Sequence, residues 1–99
     1  MTDRGNADEA RESEQRRLGE AVKIRRLVFD MSQNQLAVKA GLSVSVLGGI
    51  ERGTEPLTAR SIVKLAGALG WPADWPQAIR NGEDPETGNT TMFGASEAF

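Results

Sequence analysis

A chain of 99 residues is long enough for one domain with one hydrophobic core. The absence of Cys and His excludes disulfides, thiol catalysis, His-based acid–base chemistry and nearly all zinc sites. The apolar stretches are far shorter than the roughly 20 residues that span a bilayer, and the charged start lacks the apolar core of a signal peptide. These features predict a soluble, cytoplasmic protein with no membrane contact.

The formal net charge of −2 hides an uneven distribution of charged residues. Residues 17–80 carry nine basic and five acidic side chains, whereas segments 1–16 and 81–99 are both net acidic. A basic middle suits contact with an anionic partner such as nucleic acid. The acidic ends are either solvated tails or segments that weaken non-specific binding by competing with phosphate.

Both ends of the chain lack the apolar periodicity of a packed helix. Residues 1–15 are polar, which predicts a disordered acidic tail or, at best, a frayed extension of the first helix. Residues 82–99 are rich in Gly, Thr and acidic residues, which predicts a flexible acidic tail. The folded domain is therefore expected at residues 16–81.

Between these tails, apolar residues recur at helical spacing and no stretch alternates as a strand does. The predicted fold class is all-α, a compact five-helix bundle. In chain order, the helices are expected at about residues 16–29, 33–40, 44–52, 59–69 and 75–81.

The predicted helix ends carry residue types that suit them. A Ser or Thr side chain accepts hydrogen bonds from the first backbone N–H groups, and Gly adopts the left-handed conformation that ends a helix. The expected N-caps are Ser32, Ser43 and Thr58, and the expected terminating glycines are Gly41, Gly53 and Gly70.

The helical period also predicts which side chains form the core. Trp71 is expected to cover the core, whereas Trp75 either packs in the core or contributes to a dimer interface. The remaining inward-facing residues are Leu18, Val22, the stem of Arg25, Phe29, Leu36, Ala37, Ala40, Leu47, Ile50, Ile62, Leu65, Ala66 and Leu69.

The connection between the second and third helices is the most informative feature. It consists of Gly41, Leu42 and Ser43, and the small Ala37 lies where the two helices approach each other. A short turn that contains Gly predicts two helices at roughly a right angle. That arrangement would let the first helix cross the DNA backbone while the second enters the major groove.

Residues 18–70 resemble the phage repressor/Cro-like (XRE-type) helix-turn-helix family, with its pieces in order and spacing. The resemblance implies the fold of a lambda-repressor-like helical bundle and the function of a DNA-binding transcriptional regulator. Of the two directions of regulation it favours a repressor, and it suggests an origin in a phage or mobile element. The shared pieces are the Arg25–Arg26 pair, SQxxLA at 32–37, AGLS at 40–43, IERG at 50–53 and KLAxALG at 64–70.

The resemblance also implies roles for individual residues. Arg26 would pair with Glu51 and brace the motif, whereas without the pairing both are ordinary exposed charges. Gln33 would reach a DNA phosphate from the start of the second helix. Further contacts to the DNA backbone are implied for Thr54, Thr58 and Arg60.

The expected recognition helix departs from the family pattern. Relatives place Gln, Arg, Asn or Lys towards the groove, where bidentate hydrogen bonds distinguish the bases. This helix offers two hydroxyls and two glycines, and each helical Gly costs about 1 kcal/mol relative to Ala. The positions expected to face or border the groove are Ser43, Val44, Ser45, Val46, Gly48 and Gly49.

Four interpretations of this helix stay open. The glycines let the backbone approach DNA closely, with Val44 or Val46 on thymine methyl groups, in which case alanine at both glycines would stabilise the chain and weaken DNA binding. Alternatively, binding relies on phosphates, DNA shape and an N-terminal arm that contains Arg4 and Arg11. The third interpretation is a protein-binding surface, and the fourth is drift on a non-essential helix face.

The sequence gives no support for an enzyme. The acidic residues of the central segment are scattered along the chain, and no nucleophile has a base beside it. The glycines of the third helix are not followed by the GK[ST] residues of a phosphate-binding loop. No cofactor and no metal site are expected. The predicted partner is double-stranded DNA, with a homodimer through residues 71–81 and a protein partner as further predictions. The alternative function is a protein-interaction module, such as an antitoxin, on the same scaffold.

Overall fold

The computed structural model describes residues 2–85, which form five α-helices. The predicted boundaries of α2, α3 and α4 agree with the structure, and α5 ends one residue before its predicted end. Most of the predicted C-terminal tail, residues 86–99, lies outside the described residues. The helices are α1 (Thr2–Val28), α2 (Gln33–Ala40), α3 (Val44–Arg52), α4 (Ala59–Leu69) and α5 (Trp75–Arg80).

Helix α1 begins at Thr2 and not near residue 16. Residues 2–15 lack an apolar stripe, which is why the sequence predicts a tail there. They are nevertheless rich in Glu, Arg and Ala, which have high helix propensity, and extending a helix that is already nucleated costs little. The N-terminal arm considered above, with Arg4 and Arg11, is therefore part of a helix.

Side-chain caps fix the start of three helices. The Ser32 hydroxyl accepts from the Gln35 N–H at 3.0 Å, and the Gln35 side chain accepts from the Ser32 N–H at 2.8 Å. Ser43 caps α3 in the same way through the Val46 N–H, and Thr58 caps α4. Glycines in the left-handed conformation end these helices at Gly41, Gly53 and Gly70.

The core contains nearly all of the side chains that the helical period selects. Two expectations are corrected: Ile62 is only half-buried, and Phe29 is 43% exposed. Phe29 is exposed because α1 ends at Val28, and its ring instead packs under the Arg25 guanidinium, 4.5 Å from the ring centroid. The largest fully buried side chains are Trp75, Leu36, Leu47, Ile50, Leu65, Leu69 and Val22.

The two tryptophans close the core between α4 and α5. Trp75 is fully buried, and its indole N–H donates to the Ile62 carbonyl at 3.0 Å. Its ring centroid lies 5.0 Å from that of Trp71, at an angle of 36°. Trp75 therefore belongs to the core, and the alternative in which its ring forms a dimer interface is wrong.

Helix α1 crosses the end of α3 with almost no space between the two backbones. A Cβ at Gly19 would overlap the carbonyl oxygen of Ile50 and lie 2.9 Å from that of Glu51. One turn earlier on α1, Arg16 packs against Gly53, where a Cβ would lie 2.6 Å from the Arg16 Cγ. The end of α3 is thus fixed by backbone contact with α1.

We expect Gly19→Ala to destabilise the protein although alanine favours helices. The overlap is with backbone, which cannot move aside as a side chain can, and overpacking costs typically about 1–3 kcal/mol. Gly67 in α4 is the matched control, because a Cβ there meets nothing within 4 Å. Gly67→Ala should stabilise by up to about 1 kcal/mol. Urea unfolding of both variants measures the difference, and equal shifts would contradict the close crossing.

Candidate nucleic-acid interface

Helices α2 and α3 form the centre of the candidate interface. They pack against each other and are joined by Gly41, Leu42 and Ser43. Gly41 has φ 72°, and the Leu42 N–H returns to the Ala37 carbonyl at 2.9 Å. The small Ala37 is buried beside this turn. The local sequence therefore produces a compact connection without strain.

A buried ion pair links α1 to the end of α3. The Arg26 guanidinium donates to both Glu51 carboxylate oxygens, at 2.8 and 3.0 Å, and to the Met31 carbonyl at 2.9 Å. Arg26 is 8% exposed and Glu51 is 7% exposed. The hydrogen bond to Glu51 raises the pKa of Arg26 above its ordinary value, although burial acts in the opposite direction. The pairing that the resemblance implies is present.

Gln33 joins this network and differs in part from its expected role. Its side-chain amide donates to the Glu51 carboxylate at 3.0 Å, so this hydrogen atom is not directed outward to a phosphate. An amide carries a second N–H, and the first backbone N–H groups of α2 have no partner within the helix. Gln33 therefore connects the start of α2 to the Arg26–Glu51 ion pair, and its second amide N–H stays available to an external group.

The start of α3 is the exposed part of the expected recognition helix. Ser43, Val44 and Ser45 are exposed, whereas Val46 is half-buried against the core. The Ser43 hydroxyl already accepts the capping hydrogen bond from the Val46 N–H at 3.1 Å. Residues 43–45 can thus be contacted from outside, and Val46 is much less available for a thymine methyl group.

The two glycines of α3 are buried by the protein's own side chains, which corrects the expectation that they face an open groove. A Cβ at Gly49 would lie 2.8 Å from the Glu55 Cβ and 3.5 Å from the Thr54 hydroxyl. A Cβ at Gly48 would lie 3.2 Å from the Arg52 guanidinium and 3.8 Å from the Gln33 amide. Alanine at position 49 would collide with Glu55, so the stabilisation expected from replacing both glycines no longer follows.

The three residues expected to contact the backbone after α3 have different surroundings. Thr54 donates its hydroxyl to the Gly49 carbonyl at 3.3 Å, and the Thr58 hydroxyl is held by Ser61 in the cap of α4. Arg60 is exposed on the first turn of α4, and its side chain makes no hydrogen bond or ion pair with residues 9–85, whose side chains the structure describes. Only Arg60 therefore keeps its side chain directed to an external partner.

Sequence reasoning missed Arg52, the third residue of the IERG motif. Arg52 is exposed, and its guanidinium lies over Gly48 beside Gln33. Within the described part of the chain it has no hydrogen-bond or ion-pair partner. A basic residue one turn after a helical Gly would have been the signal, because positions i and i+4 share a helix face.

The described residues also limit other kinds of site. Among the described side chains, those of residues 9–85, no group of three or more Asp or Glu is placed to hold a metal ion. In the same range, no helix has the length and apolarity needed to cross a membrane.

Comparison with known proteins is consistent with this geometry. A family model described as helix-turn-helix matches residues 22–75. The crystal structure of the restriction-modification controller protein C.AhdI from Aeromonas hydrophila is similar, with 31% sequence identity and a TM-score of 0.61. The alignment covers 68% of this chain and 97% of that one. No curated protein matches the sequence significantly.

We expect Glu51→Ala to destabilise the protein by about 3–5 kcal/mol, because it leaves the buried Arg26 charge without its partner. The control is the double variant Arg26→Met with Glu51→Leu, which removes both charges and should recover most of the loss. Urea unfolding at neutral pH measures both. A loss below about 1 kcal/mol for Glu51→Ala would mean that the pair behaves like an exposed one.

Proposed function

The chain belongs to the helix-turn-helix family and is a DNA-binding transcriptional regulator, and we propose that it binds duplex DNA by placing the start of α3 in the major groove. The matching family is a helix-turn-helix family and the similar solved structure is a controller protein, which supports a regulatory and not an enzymatic role. Whether binding represses or activates depends on where the operator lies, so the repressor role stays a prediction.

The observation that carries this proposal is the contrast between the two ends of α3. Leu47 and Ile50 are buried in the core, and Glu51 is held by the brace. Ser43, Val44 and Ser45, at the start of the helix, are exposed. A helix whose C-terminal end is fixed and whose N-terminal end is exposed suits the docking mode in which the first residues of a recognition helix contact base edges.

Phosphate contacts follow from the exposed cations and helix starts around α3. Arg52 lies beside the start of α2, and Arg60 lies on the first turn of α4. Helix N-termini attract anions through unpaired N–H groups and the helix dipole. We assign the phosphate contacts to Gln33, Arg52 and Arg60. The hydroxyls of Thr54 and Thr58 make hydrogen bonds within the chain, so these two residues serve mainly to shape the loop.

Arg52→Ala and Arg60→Ala should each weaken binding to every DNA sequence and reduce the salt slope of log K by about 1. The reason is that each lost phosphate contact reduces by about one the number of counterions released when the protein binds DNA. Lys23→Ala is the control, because Lys23 is an exposed cation on α1 that does not line the groove beside Trp71. Fluorescence anisotropy on mixed duplex DNA from 50 to 300 mM salt gives the slopes. Binding of the unaltered protein that does not change with salt would contradict phosphate contact.

We further propose that a second copy of the chain covers a groove on the side of the 71–81 region. The groove has a volume of about 610 Å³ and is lined by apolar residues that include Ile24, Val28, Trp71 and Ile79. Ile24 is 52% exposed and Val28 is 67% exposed. Dimers of this family of motifs bind two half-sites of an operator. A two-fold interface places the same patch on both copies, and the groove's rim carries both basic and acidic side chains.

Ile24→Glu should convert a dimer into a monomer, because it places a charge in the apolar interface that two copies share. Val38→Glu is the control, since Val38 is 82% exposed on α2 and does not line the groove. Sedimentation equilibrium over a range of protein concentrations, with and without DNA, reports the oligomeric state. An unaltered protein that stays monomeric throughout contradicts this interface, and the groove would then remain open to the predicted protein partner.

A further inference from the structure

We propose that Glu55 recognises a cytosine in the major groove and supplies the base-specific group that α3 itself lacks. The proposal rests on the docking of α3 described above. It arises from the glycine at position 49 and from the side chain that covers it. Glu55 adds an exposed carboxylate to a surface on which the exposed polar side chains at the start of α3 are the hydroxyls of Ser43 and Ser45.

Position 49 lies on the face of α3 that also carries exposed Ser45, one turn earlier. A side chain at this position would begin 2.8 Å from the Glu55 Cβ and 3.7 Å from its Cγ. The stem of Glu55 therefore occupies the space in which a side chain of residue 49 would start. Glu55, in the turn after α3, therefore takes the place of the side chain that Gly49 lacks.

The backbone holds Glu55 in this place. The Gly49 carbonyl accepts from the Thr54 N–H at 2.9 Å, from the Glu55 N–H at 3.1 Å and from the Thr54 hydroxyl at 3.3 Å. Gly53, at φ 82°, reverses the chain direction so that this contact can form. Because the turn is fixed before DNA binds, a contact by Glu55 costs side-chain entropy but little backbone entropy.

The chemistry of a carboxylate selects the base. An ionised carboxylate only accepts hydrogen bonds, and in the major groove cytosine offers the N4 amino donor. Guanine presents two acceptors in the groove, and adenine places its N7 acceptor beside its N6 donor, so both repel a carboxylate more than cytosine does. Glu55 is exposed and has no hydrogen-bond or ion-pair partner among the described side chains, those of residues 9–85, so its carboxylate is available.

The test compares base preferences of the unaltered protein and Glu55→Gln in a selection from random duplex DNA. The unaltered protein should favour cytosine at one position of each half-site by roughly tenfold, as expected for a single base contact. In Glu55→Gln this preference should be lost and move to adenine, because a Gln amide pairs with adenine N6 and N7. Glu12→Gln, which makes the same charge change at an exposed position on α1 outside the proposed dimer groove, should leave the preferences unchanged.

A second variant tests the same contact without replacing the Glu55 carboxylate by an amide. Gly49→Ala displaces the stem of Glu55 and should reduce the same cytosine preference while leaving the salt slope intact. If Glu55→Gln raises affinity equally for all sequences, or leaves every base preference unchanged, Glu55 does not contact a base and the inference is wrong. If the unaltered protein binds no DNA at all, the proposed function fails together with it. These two failures are distinguished by the salt-dependent binding to mixed duplex.

Discussion

The carboxylate of Glu51 is the group on which the arrangement of the first three helices depends. Its oxygens accept hydrogen bonds from Arg26 at the end of α1 and from Gln33 at the start of α2. The backbone carbonyl of the same residue lies against Gly19, where no larger residue fits. Buried charges are costly unless paired and hydrogen-bonded. Any shift of α3 would therefore separate a buried charge from its partners and open a close backbone contact.

This constraint explains why the exposed surface is assembled from several chain segments. Because the core and the Arg26–Glu51 pair hold the C-terminal half of α3, the exposed residues are 43–45 at its start and Arg52 at its end. Two charged side chains lie against the glycines of α3. Arg52, at the end of the helix, lies over Gly48, and Glu55, in the turn after the helix, lies over Gly49. The glycines are thus sites where the protein packs against itself, and they permit charged groups to lie close to the helix axis.

The sequence was sufficient to predict features that depend on neighbouring residues in the chain. Ser32 and Ser43 cap their helices through bonds to residues three positions later, so α2 and α3 could be bounded correctly. The start of α1 could not, because its polar residues carry no periodicity. The surroundings of Gly49 depend on how the chain folds back after Gly53, which no local pattern encodes. Periodicity shows which face a residue occupies but not which other segment covers that face.

The proposed role of Glu55 bears on the unusual charge of this regulator. The structure places few unpaired cations around α3, and the chain as a whole has a net charge of −2. A carboxylate in the interface repels the phosphates of every sequence, and only a suitably placed donor offsets that repulsion. Specificity is a difference between affinities, and an element that penalises wrong partners widens it. On this proposal, weak overall attraction to DNA and discrimination between bases have the same origin, because the group that weakens non-specific binding is also the group that recognises the operator.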